Sequence, residues 1–140
     1  MNYNKKIGNT GWIEFTNQNG GLKSDHPIIK GRTKQERITK LMTFGGSALS
    51  GKKYINLFAL SETSENVMHS TGVGPIGKGN SQALAGIVGK GKVVALGDSN
   101  GFTAMIFNEE DGSKQAAGMN FKEYDWKQFM LNTLHWLSSE

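Results

Sequence analysis

Gly91-Lys92-Val93-Val94-Ala95-Leu96-Gly97-Asp98-Ser99 is the stretch that decides how this chain is read. Four apolar residues run without interruption between a Gly-Lys lead-in and a Gly-Asp-Ser turn. A strand with one wet face would alternate apolar and polar residues. The unbroken run therefore predicts a central strand covered on both faces. Open α/β sheets place ligands just beyond the carboxyl ends of such strands. Asp98, standing there, becomes the leading single candidate for a site.

Downstream, Phe102 to Phe107 reads as the start of a helix and Asn108 to Gly118 as a loop. Asp125 with Gln128 three residues later resembles a capping box, and Asn120 is an alternative N-cap. Trp126, Phe129, Met130, Thr133, Leu134 and Leu137 then follow helical spacing and predict an amphipathic helix ending near Leu137. Upstream, Ala83 to Val88 is a short apolar run, and Tyr54 to Leu60 and Gly11 to Thr16 read as strands. Ile38 to Leu49 also favours a strand, up to the Gly45-Gly46 break. Ser61 to Gly79 is polar and glycine-rich and reads as a long loop. His26 to Arg32 reads as extended, because a proline biases its predecessor away from helix, and one helical turn is expected between Thr33 and Arg37.

The 140 residues suit one domain spanning 1–140. Hydrophobic residues make up only 36% and charged residues 20%, while 19 glycines fill the gap. Glycine costs backbone entropy on folding, so this count points to many turns. The net charge of +4 comes from scattered lysines with interleaved acids, and Arg32 and Arg37 are the only arginines. Nucleic-acid binders concentrate charge on one face, so a solvated surface is expected and no nucleic acid. The absence of cysteine removes disulfides, thiolate zinc sites and a cysteine nucleophile. No apolar run approaches the roughly 18 residues of a membrane span, and Met1 to Lys6 lacks a signal-peptide core. A soluble chain, cytoplasmic by default, is the expectation.

Three motifs invite a chemical reading. Gly72-Val73-Gly74-Pro75-Ile76-Gly77-Lys78-Gly79 fits G-x-G-x-x-G, but a P-loop needs a hydroxyl residue where Gly79 stands. It also lacks a flanking strand and helix, so no nucleotide cofactor is expected. Gly97-Asp98-Ser99 is similar to the nucleophile block of the SGNH esterases, and a Ser99–His135 dyad or an Asp98-activated water would make a hydrolase. That family places its serine near the start of the domain and pairs its histidine with an aspartate three residues earlier, where this chain has Asn132. His26, His69 and His135 show no metal-ligand spacing, so no metal site is expected.

Several segments together carry a family resemblance. His26-Pro27-Ile28, Gly31-Arg32, Glu36-Arg37, Thr43-Phe44, Gly91 to Asp98, Phe102-Thr103-Ala104, Gly118-Met119-Asn120 and the run from Asp125 to Leu137 resemble a group of uncharacterised bacterial proteins. Those proteins carry a class I glutamine-amidotransferase-like domain. Their pattern includes H-P-I-x-x-G-R, G-K-G-R-V-V-x-x-G-E-A-x-x-F-T-A-Q, G-M-N and L-N-x-x-H-W-L. Asp98 stands where the group has glutamate, and Met105 where it has glutamine. The resemblance implies a partial three-layer, flavodoxin-like α/β sheet with a C-terminal amphipathic helix. The group's N-terminal βα units have no counterpart here. It further implies a polar pocket lined by His26, Arg32, Asp98, Thr103 and Asn120. With no cysteine on a strand-to-helix elbow, it does not imply glutamine hydrolysis.

The expected function is thus a non-catalytic ligand-binding or interaction module, its ligand small and polar. The rival is a hydrolase using Ser99 or Asp98. In a third reading Asp98 and Arg32 form a buried structural pair. Asp98, His26 and Asn120 are expected to converge at the sheet's carboxyl edge. Because opening strands are missing, a free sheet edge and a homo-oligomer or a second subunit are also expected.

Overall fold

The computed structural model describes residues 2–4, 12–62, 64–68, 72–75 and 80–139. In chain order the described elements are β1 (Asn2–Asn4), β2 (Trp12–Thr16), α1 (Pro27–Lys30), β3 (Lys40–Phe44), β4 (Ile55–Ala59), β5 (Ser64–Met68) and β6 (Gly72–Pro75). They continue with β7 (Ser81–Val88), β8 (Gly91–Leu96), β9 (Ala104–Asn108), β10 (Lys114–Gly118) and α2 (Trp126–Ser138), with 3-10 turns at Lys34–Glu36 and Asn100–Phe102. The chain is therefore of mixed helix and strand content, broadly α/β.

The strands form four small sheets, ordered β1-β5-β6, β2-β3, β4-β7-β8 and β9-β10. Every strand pair among the described residues is antiparallel. This overturns the central placement of Val93–Leu96. Among the described residues β8 pairs with β7 alone, from Val88↔Gly91 to Ala83↔Leu96. Its side chains alternate between exposed and half-buried, with Val94 and Leu96 against the core and Val93 37% exposed. An unbroken apolar run cannot distinguish a doubly covered strand from an edge strand whose outward residues happen to be valine and alanine.

Four other expectations are corrected. Residues expected to open a helix after Phe102 form β9, and the expected loop after Asn108 returns as β10, paired from Ala104↔Gly118 to Asn108↔Lys114. The connecting turn is closed by Asp111, whose carboxylate accepts from the Ser113 N–H at 2.8 Å. Such a side-chain-closed turn is local chemistry that periodicity misses. Part of the glycine-rich loop forms the β5–β6 hairpin, whereas residues 76–79 and His69 lie outside the described residues. Pro27 opens α1 rather than an extended segment. Proline's bias falls on His26, which is extended (ψ 138°) and caps the helix, while Pro27 takes the first helical position, where its missing N–H costs nothing.

The core lies where α2 packs across β2, β3, β4 and β7. Phe58 stacks on Phe15 at 5.2 Å between ring centroids and meets Phe129 at 5.1 Å. Ile28, Ile29, Ile38, Leu41 and Leu57 are fully buried around these rings. The buried face of α2 is Trp126, Phe129, Asn132 and Thr133, with Trp136 half-buried on the same side. The predicted stripe was thus rotated. Leu134 is 55% exposed and Leu137 39%, because the helix is turned by polar ties that a hydrophobic count does not register. The Asn132 amide donates to Ile28 O and Glu36 O, both at 2.8 Å, holding α1 and the following turn.

Gly101 shows how closely the turn after β8 meets α2. A Cβ there would stand 2.3 Å from the Trp126 ring. Gly101→Ala forces the indole aside and is expected to destabilise the fold by about 1–3 kcal/mol, the range for overpacking a core. Urea unfolding followed by tryptophan fluorescence checks this.

Candidate functional site

Between the β2–β3 pair and the β9–β10 hairpin lies a cleft of about 320 Å³. One wall is a sheet face. Trp12 and Phe44 are paired in register and their rings are 4.7 Å apart, while Met42 points the same way two residues earlier. The opposite wall is the hairpin, through Met105, Phe107 and residues 115–118. Trp126 and Gly101 border the cleft at the core side, and Phe121 and Tyr124, in edge contact at 5.1 Å, close one end. The lining is six aromatic rings, two methionines and small or amide residues, without a single charged side chain. An ion pair sits on the rim, against Tyr124. Glu14 takes Lys40 at 3.0 Å and the Tyr124 hydroxyl at 3.3 Å.

Asp98 lies beside this cleft but does not open into it chemically. One carboxylate oxygen accepts from the Phe44 N–H at 2.6 Å. The other accepts from the Asn100 N–H at 2.9 Å and the Asn100 side-chain amide at 2.8 Å. That amide also donates to Phe44 O at 3.1 Å. Asp98 thus ties the end of β3 to the turn after β8. The Thr103 hydroxyl extends the chain of bonds by donating to Asn100 O at 2.7 Å. Asn120 is half-buried in the turn that follows β10, next to Phe121 of the cleft, and its side chain makes no hydrogen bond with a described residue.

His26 and Arg32 belong to the other end of α2. The His26 ring meets the edge of Trp136 at 5.2 Å, and its Nδ1 accepts from the Ile28 N–H at 3.3 Å as the cap of α1. Arg32 pairs with Glu36 through two side-chain contacts, one of 3.0 Å to Oε2 and one of 2.5 Å to Oε1. The pair holds the Glu36 carboxyl down to about 2. Trp126 borders the cleft and Trp136 meets His26. Ten helical residues separate them, a span of about 15 Å. Asp98, Thr103 and Asn120 therefore gather near the cleft, while His26 and Arg32 do not join them. Nor do Asp98 and Arg32 form a buried pair, since each has other partners.

The site-shaping roles of Asp125, Trp12 and Phe44 escaped the sequence reading. Asp125 does not cap its own helix with its side chain. Its carboxylate reaches back to β3, accepting from the Thr39 N–H at 2.7 Å, the Thr39 hydroxyl at 2.9 Å and the Lys40 N–H at 3.1 Å. Gln128 bonds Asn132 instead of closing a capping box. Trp12 and Phe44 were read as ordinary strand residues, yet they remain 40% and 46% exposed as a wall of the cleft. Phe44 is the last strand residue before Gly45-Gly46, a position where a large ring has no strand neighbour beyond it. That was the available signal. Ser99 is exposed and, among the described residues, no hydrogen bond joins it to a histidine.

Burial pushes the His26 imidazole below its usual range, with the nearby Asp25 charge opposing more weakly. The folded state then holds His26 neutral while the unfolded chain protonates near its ordinary value of about 6.5. Between those two values the unfolded state binds more protons, so stability falls as pH drops below about 6.5. Protonating Nδ1 would also cancel the cap to Ile28. His26→Asn, which keeps a capping oxygen without titrating, is expected to flatten the pH dependence of urea midpoints between pH 7.5 and 5.5.

Asp98→Asn leaves one of the acceptor positions facing a donor. It is expected to cost about 1–3 kcal/mol in urea unfolding, the penalty for stranding a buried polar group.

Comparison with family models, with curated proteins and with solved structures found no match for this chain.

Proposed function

We propose that this chain is a non-catalytic binding module whose ligand site is the aromatic cleft between β3 and the β9–β10 hairpin. The observation that carries the reading is the lining itself. Six rings and two methionines surround a volume at the lower end of the range for small-ligand sites, with amide groups to orient a ligand and no charged side chain. The site thus favours a flat, uncharged, largely apolar group with a hydrogen-bonding edge, in place of the small polar ligand expected from the motifs.

The occupied state of Asp98 supports the same reading. Both Asp98 oxygens are already engaged by donors of the fold and the residue is buried, so neither oxygen is presented to a water in the cleft. No observation favours the hydrolase alternative. We propose that the likeness to class I glutamine-amidotransferase-like proteins reflects a common origin. On that proposal the Gly-Asp turn, the His-Pro-Ile turn and the C-terminal helix are inherited packing elements of a flavodoxin-like ancestor. Their polar residues now serve hydrogen bonds internal to the fold.

Methyl-labelled methionine gives a direct test, because Met42 and Met105 line the cleft while Met130 lies on α2 outside it. Titration with indole and with 4-methylphenol is expected to shift the Met42 and Met105 methyl signals and leave Met130 in place. Trp12→Ala should weaken both shifts severalfold. Absence of any Met42 or Met105 response at millimolar concentrations would sink the assignment of this cleft.

A further inference from the structure

The two strands of the β9–β10 hairpin line the cleft differently. β9 contributes Met105 and Phe107, alternate residues, as a strand does when it presents a face. β10 contributes Gln115, Ala116, Ala117 and Gly118, four in a row. Consecutive residues line a cavity only where the strand also turns its edge toward it.

The hydrogen bonds outside the hairpin reveal what that edge offers. The Glu109 N–H donates to Ser113 O at 2.9 Å, and the Met119 N–H donates to Thr103 O at 2.7 Å. These mark 109/113 and 103/119 as bonded pairs. Bonded and non-bonded pairs alternate in an antiparallel ladder. In the observed register, Gln115↔Phe107 and Ala117↔Met105 are then the bonded pairs as well. The intervening residues Lys114, Ala116 and Gly118 turn their N–H groups away from β9. Ala116 turns both its N–H and its C=O outward, and neither has a hydrogen-bond partner among the described residues. Gly118 O is taken by the Phe121 N–H at 3.0 Å, which ends the free edge. No other strand pairs with β10 among the described residues.

From this we infer that the cleft receives an extended peptide segment, added as a strand along the free edge of β10. The inference rests on the cleft being the binding site. Free alternating N–H and C=O groups are what a strand recognises, and they are of no use to a purely apolar ligand. Side chains of an added strand project to both faces at every second residue. Those on the cleft side meet Trp12, Phe44 and Met42, which favour aromatic, methionine or leucine side chains. The uncharged lining excludes lysine, arginine, aspartate and glutamate from these positions, because a charge there would be desolvated without a partner. The Gln115 amide, exposed and without a side-chain partner among the described residues, is placed to bond one polar residue of the incoming segment. The partner is thus an uncharged strand-forming segment with large apolar residues at alternate positions.

The test uses the full chain with methyl-labelled methionine. The probe is a synthetic set of capped, uncharged hexapeptides with Phe, Tyr, Trp, Met or Leu at alternate positions and Ser or Thr between. At least one is expected to shift the Met42 and Met105 methyl signals with higher affinity than indole. N-methylation of its backbone at the pairing residues is expected to weaken it by about tenfold per lost main-chain bond. Ala116→Pro removes the outward N–H while leaving the β9 ladder intact, since proline is tolerated on a strand edge. It should weaken the peptide but not indole. If indole binds and no peptide does, or if N-methylated and parent peptides bind alike, strand addition is wrong while the cleft assignment survives. If neither indole nor peptide moves the two methyls, both fail. Should Ala116→Pro not fold, the N-methylated peptides on the unaltered chain still decide the matter.

Discussion

The docking of the Asp125–Trp126 pair on β3 is the constraint on which the rest of the structure depends. Asp125 gives its carboxylate to the backbone of Thr39 and Lys40, while its own N–H donates to Lys40 O at 3.0 Å. One residue later, the Trp126 indole N–H donates to Met42 O at 2.9 Å. The start of α2 is thereby held to Thr39, Lys40 and Met42, at the beginning of β3 some eighty-five positions away. Charge-assisted bonds to backbone N–H groups are among the stronger ones available to a fold. With the helix start held there, Trp126 must lie against Phe58 and Phe102, and Phe129 must follow it inward.

The cleft follows from the same contact. Trp126 is at once a core residue, 2% exposed, and part of the border of the cavity. Gly101 lets the turn after β8 pass against its ring, and Asp98 then reaches the end of β3. Asp98, the leading residue of the expected polar pocket, is in this way used, with Asn100, to join the end of β3 to the turn after β8. What is left facing solvent is the remainder: Trp12, Phe44 and the hairpin wall. These exposed rings, which the core does not bury, are what the proposed binding role rests on.

The far end of α2 is organised separately. Asn132 holds two carbonyls of the α1 region, and Lys92 of β8 donates to Trp136 O at 3.1 Å and to the Ser139 hydroxyl at 2.7 Å. A lysine bonding the last carbonyls of a helix also suits the helix dipole. His26 completes this end as a cap and a ring contact. The two ends of the helix thus carry different duties, which is why residues grouped by motif do not form one pocket.

Much of the local structure was legible in the sequence. The β2 alternation, the β4 run, the 3-10 turn near Glu36 and the C-terminal helix each follow from periodicity and turn residues close in the chain, since those depend on neighbours within a few positions. The direction in which α2 faces was not legible, because Asn132 and Asp125 look like surface residues until their backbone partners are known. β8 was misread as central because an apolar run reports burial preference, not the number of neighbouring strands. β9 and β10 were missed because β9 is an apolar run without period-two alternation and β10 is short and made of polar and small residues, and only their mutual pairing makes them strands. For the candidate site, the sequence determined which residue types are present: no cysteine, few histidines, two arginines and scattered lysines. Only the tertiary structure decided that Asp98 is consumed by backbone donors and that Trp12, Phe44 and Phe107 share one cleft. Those facts depend on contacts across tens of residues, and no local pattern encodes them.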